Sequence, residues 1–80
     1  MKNKKVEVIL HTPILIETSH QEGVSDAVIK IKGILKELIE QGMLLDVESC
    51  HTQRGEEVKP IQNNLFLPMH KVDHLLVDGD

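Results

Sequence analysis

VSDAVIKIKGILKELIEQ, residues 24–41, is the stretch on which the fold turns. On a helical wheel Val24, Ala27, Val28, Ile31, Ile34, Leu35, Leu38 and Ile39 share one arc. Ser25, Asp26, Lys30, Lys32, Gly33, Lys36, Glu37 and Glu40 share the other, and only Ile29 stands clearly off the apolar side. That is the 3.6-residue signature of a helix laid on a core. The ends suit it. Ser25 or Asp26 can accept from the first free N–H groups, and Asp26 complements the positive end of the dipole. Gly42 is placed for the left-handed residue that closes a helix. Gly33 then sits mid-helix on the exposed face, at a cost of about 1 kcal/mol relative to Ala; a close contact with another chain would account for it. A strand competes over Ile29-Lys30-Ile31-Lys32, which alternates with period two, but the helical match is much longer. The pattern predicts a helix over about 25–41.

Working outward, the flanks read as strands. Val6-Glu7-Val8-Ile9-Leu10 and Ile14-Leu15-Ile16-Glu17-Thr18 are separated by His11-Thr12-Pro13, and Pro13 cannot donate to a ladder, so it marks a turn, a kink or a strand edge. Met43-Leu44-Leu45-Asp46-Val47-Glu48-Ser49 alternates, with Leu45 and Val47 on one side and Asp46 and Glu48 on the other. Thr52-Gln53-Arg54-Gly55-Glu56-Glu57 is a polar turn. Pro60 and Asn63-Asn64 suggest a loop over 58–64. Leu65-Phe66-Leu67 is a short strand ending at Pro68, and 72–77 is the last. The expected order is β-β-α-β-β-β. It describes an α+β domain: a small antiparallel or mixed sheet, or a partly open barrel, covered by one amphipathic helix. Residues 1–80 form one domain, with 1–5 and 78–80 as frayed tails.

Composition narrows the function classes. The chain has 80 residues, 40% hydrophobic, filled by Val, Ile, Leu and Met, with one Phe and no Trp or Tyr. Proteins that hold single strands of nucleic acid stack bases on aromatic rings over a basic groove. One ring and a net charge of -4 count against that. The single cysteine, Cys50, fits a reducing cytosol. Lys2, Lys4 and Lys5 make the start basic, but Glu7 and Pro13 interrupt any apolar run. Neither a signal peptide nor a membrane span is expected. The reading is a cytoplasmic protein with no membrane partner.

Candidate sites are few. His70 and His74 have the i,i+4 spacing that chelates a metal on a helix, but on a strand their side chains start about 13 Å apart. Cys50 and His51 point to opposite faces of a strand; a metal site would need them joined by His70 or His74 at a bend. The simpler reading of Cys50 is a small buried hydrophobe. Ser19 with His20, and Ser49 with His51, lack the setting of a nucleophile, and Glu56-Glu57 sits in a solvated turn. No Gly-rich phosphate loop is present. The expectation is a non-enzymatic protein without a cofactor.

The succession from Gly42-Met43-Leu44-Leu45-Asp46-Val47-Glu48, through a turn at Gly55, to Leu65-Phe66-Leu67-Pro68 and Lys71-Val72-Asp73-His74-Leu75-Leu76-Val77 resembles small bacterial SH3-like and Sm-like barrels. The resemblance covers residues 42–77. It implies a closing strand after a proline, ring or dimer assembly, and RNA bound near Asn63, Asn64, Lys71 and His74. It departs from the Sm pattern in having two strands before the helix and no base-stacking aromatic.

Three functional expectations follow. The leading one is a small binding or interaction domain that works as a homo-oligomer or with a protein partner, its contacts carried by Pro13, Ile29 and Gly33. The alternatives are an Sm-like RNA-binding module, and a metal-binding protein using Cys50, His51, His70 and His74.

Overall fold

The computed structural model describes residues 3–18 and 23–78. Among these residues six antiparallel strands are formed: β1 (Lys4–Glu17), β2 (Ser25–Ile39), β3 (Gly42–Thr52), β4 (Glu57–Val58), β5 (Asn64–Pro68) and β6 (Val72–Val77). Their order is β4-β3-β2-β1-β6, with β5 paired to the first half of β3. A single 3₁₀ turn, Met69–Lys71, joins β5 to β6 and lies against both β1 and β3.

The expected helix is a strand, so the α+β class and the β-β-α-β-β-β order are overturned in favour of an all-β domain. The reason lies in how β2 is paired. Against β3 its register steps from Val28↔Thr52 to Lys30↔His51, and from Leu35↔Leu45 to Glu37↔Leu44. Each step leaves one extra residue on β2, Ile29 and then Lys36. Such bulges break strict alternation. The fully buried side chains of β2 are therefore Val28, Ile31 and Leu35, spaced three and four apart. The bulge at Ile29 makes the step from Val28 to Ile31 three residues, and two ordinary alternations through buried Gly33 carry it on to Leu35, so the strand reproduces the i, i+3, i+7 spacing of a helix face. Composition favoured the strand throughout: Val24, Val28, Ile29, Ile31, Ile34 and Ile39 are β-branched.

The stretches 6–10 and 14–18 also prove to be parts of one strand. β1 pairs with β2 on both sides of a break, from Ile9↔Lys30 to Ile14↔Val28. Leu10 to Pro13 is the irregularity between, so Pro13 marks a kink within β1 rather than a turn between strands. Lys4 and Lys5 belong to β1, and Asp78 N–H donates to Lys5 O at 2.8 Å, so these parts of the expected tails are held in the sheet. Asn3 is held too, its N–H donating to Leu35 O, while Met1, Lys2, Gly79 and Asp80 lie outside the described residues.

The long strands curl the sheet around one core. Val6, Val8 and Leu10 of β1 meet Val28, Ile31 and Leu35 of β2, and Met43, Leu45, Val47 and Cys50 of β3. Val58 and Leu67 complete it. An isolated bridge, Thr18↔Pro60, with Ile61 N–H donating to Glu17 O, ties the segment after β4 back to the end of β1. At the other end Met69 N–H donates to Gln41 O and carries the chain across to β6. Two glycines permit the tight approaches. A Cβ on Gly33 would strike Asp46 O and Val47 Cα, and one on Gly42 would strike Leu67 O and the Phe66 ring.

Candidate interaction surface

The outer face of the sheet is a ladder of charged cross-strand neighbours. Glu7 of β1 stands between Leu76 of β6 and Lys32 of β2; Ile9 stands between His74 and Lys30. Lys30 in turn faces His51 of β3, which faces Glu57 of β4. Lys30 Nζ lies 3.0 Å from Glu7 Oε2. That hydrogen bond holds the Glu7 carboxyl below its ordinary value against a smaller desolvation effect, and the charges of Lys30, Lys32 and His51 add to it. His51 Nδ1 is buried, with no hydrogen-bond partner among the described residues. Lys5, Glu7, Lys32, Glu48, Leu76 and Asp78 line an open cleft of about 360 Å3 on this face. Both signs of charge alternate around it, which suits no strongly charged ligand.

The residues singled out for metal do not assemble. Cys50 faces the core, and burial pushes its thiol up to about 11, which keeps it protonated near neutral pH. His51 points the other way, as strand alternation requires. His70 is exposed on the 3₁₀ turn rather than on a strand, and His74 is exposed on β6. Among the described residues no three of His, Cys, Asp and Glu come together as a metal site. Asp73 sits at a bulge in β6, where the register steps from Ile9↔His74 to Leu10↔Val72. Its carboxylate approaches His74 Nδ1 at 3.4 Å and His11 Nδ1 at 3.8 Å.

The RNA candidates are spread over the sheet. Asn63 and Asn64 are exposed beside the first half of β3, where Asn63 O accepts from Val47 N–H and Asn64 faces Asp46. Lys71 is half-buried on the 3₁₀ turn, and His74 lies beside β1. Of the candidates for a contact surface, Gly33 is buried against β3 rather than exposed, because it lies on a strand, not on the outer side of a helix. Ile29 is a half-buried bulge residue packed on the core, and Pro13 is half-buried at the kink of β1. Ser19 and His20 lie outside the described residues.

What the residue-by-residue reading missed is the apolar surface along the sheet edges. Leu76 and Val77 on β6 are 51% and 40% exposed, and Leu44 and Phe66 form an exposed cross-strand pair on β3 and β5. The signal was present: Leu75-Leu76-Val77 is an unbroken apolar run, and a half-buried strand must turn part of such a run outward. β6 pairs with β1 on one side only, among the described residues. Comparison with protein-family models, curated proteins and solved structures found no match. Among the described residues no helix is long and apolar enough to cross a membrane.

Proposed function

We propose that this chain is a non-enzymatic interaction domain that works by associating with further copies of itself. One observation carries the reading: among the described residues, β6 ends the sheet with an unpaired edge, and Leu76 and Val77 on it are exposed. A free edge is a template for another strand, and natural sheets that remain monomeric blunt theirs with Lys, Pro or inward charges. Residues 72–77 contain no Lys or Pro, and Asp73 lies at one end only. The lone cysteine, buried and protonated, fits a reducing cytosolic setting. Sedimentation velocity of the full chain from low to high micromolar concentration tests the proposal. A concentration-dependent dimer or larger species is expected; a monomer throughout refutes it.

The Sm-like RNA reading has one support. β5, a 3₁₀ turn after Pro68, and β6 returning to β1 follow the succession that the resemblance implies. Asp46 opposite Asn64 and Asp73 beside His74 count against a phosphate path through those residues. Binding of a single-stranded oligonucleotide at low salt, falling steeply as salt rises, would favour this reading over the first.

A further inference from the structure

We infer that the partner on the β6 edge is β6 of a second copy, paired antiparallel about Leu76 in a two-fold dimer; this rests on the self-association reading above. The backbone decides which pairings are open. Asp78 N–H donates to Lys5 O, and the β1 register continues through Val77↔Val6, Leu76↔Glu7, Leu75↔Val8 and His74↔Ile9. In an antiparallel ladder the backbone groups of successive residues turn to alternate sides. Leu76 and His74, like Asp78, therefore turn theirs to β1. Leu75 and Val77 turn theirs to the free edge. A second strand must meet those outward groups, so the allowed two-fold registers are few.

Side chains choose among them. Centred on Leu76, the pairing sets Leu75 against the partner's Val77 and Leu76 against the partner's Leu76. On the same face it sets His74 against the partner's Asp78, and does so twice by symmetry. His74 Nδ1 already lies 3.4 Å from Asp73 Oδ2, which leaves Nε2 as the ring nitrogen for a contact across the interface. Moving the centre to Leu75 places His74 against the partner's Leu76 and Asp73 against the partner's Val77. Moving it to Val77 places Leu76 against the partner's Asp78. Only the Leu76-centred register matches apolar with apolar and imidazole with carboxylate. It also covers the exposed Leu76 and Val77. β5 is the poorer candidate for this edge, since Pro68 has no N–H to offer.

The test is sedimentation velocity on the full chain, with thermal melts by circular dichroism to show that each variant folds. H74E sets two carboxylates against each other at both symmetric places, and D78K brings a lysine against His74. Like-charge juxtaposition of this kind should raise the dimer dissociation constant about tenfold or more for H74E. The H74E/D78K double variant restores opposite charges and should return close to the unmodified value. Independently, L76C places two thiols across a non-hydrogen-bonded pair about 4.5 Å apart at Cα, within disulfide reach. Mild oxidation should yield a covalent dimer from L76C and none from H74C. A dimer indifferent to H74E, or not rescued by the double variant, refutes the register while self-association stands. A ring of more than two copies refutes β6–β6 pairing. A monomer at high micromolar concentration refutes this inference and the reading beneath it together.

Discussion

Replacing Gly33 by Ala separates the strand from the helix by sign. On an exposed helix face the change would stabilise by about 1 kcal/mol, the propensity difference between the two residues. On β2 it should do the opposite. The added Cβ would meet Asp46 O, the Asp46 carbonyl carbon at 3.1 Å and Val47 Cα at 3.0 Å. These are main-chain atoms of β3, beside the bulge at Glu48, and no side-chain rotation relieves them. Overpacking costs about 1–3 kcal/mol where neighbours can adjust, and a backbone obstacle puts this site near the upper end. Lower entropy of the unfolded chain returns about 0.4–1 kcal/mol to Ala. The net loss is about 2 kcal/mol. A domain of this size changes Tm by about 4–8 °C per kcal/mol, so G33A should melt about 8–16 °C lower. Far-UV circular dichroism is the assay, because the chain has no Trp or Tyr to report by fluorescence. A Tm equal to or above that of the unmodified protein would refute the packing of β2 on β3 at this position.

Other substitutions and pH probe the remaining features. I31A, at a side chain with no exposure, should cost about 2–5 kcal/mol in urea denaturation, whereas L15S, at a residue 74% exposed, should stay within about 0.5 kcal/mol. Equal effects would mean that the inward face has been misassigned. The Cys50 thiol should resist iodoacetamide at pH 8 in the folded protein and react freely in denaturant; rapid labelling of the native state would contradict its burial. Its raised pKa also gives a sign. Stability from keeping the thiol neutral is full below the ordinary value of 9.0 and declines as pH rises through about 11, which denaturant midpoints across that range would show. Glu7 behaves in the reverse sense. Its lowered pKa contributes stability above the ordinary glutamate value that is lost as pH falls through the depressed one, and K30M should remove most of that acid-side slope while costing about 0.5 kcal/mol near neutrality. A slope unchanged by K30M would show that the ion pair is not its source.

The local alternation in 43–49, the short strands before Pro68 and after Lys71, and the turn at Gly55 were legible because each depends on a few consecutive residues. The burial of Cys50 was legible too, from its residue type. The middle of the chain was not. Val28, Ile31 and Leu35 carry a three-and-four spacing that belongs equally to a helix face and to a strand bulged at Ile29. That bulge arises from pairing with the far end of β3, which lies outside any local window that contains Ile29. Gly33 points the same way: on a helix it is an unexplained weakness, and only the approach of Asp46 and Val47 makes it necessary. Likewise, the composition of Leu75-Leu76-Val77 announced an apolar strand, but which of its residues meet water, and which backbone groups stay free, was decided by its place at the edge beside β1. By itself the sequence determined that the chain is apolar enough to fold, that its core is aliphatic, and where several strands run. Tertiary structure decided that the central segment is one of those strands and, among the described residues, left the β6 edge free, because strand pairing is a relation between distant residues that no local pattern contains.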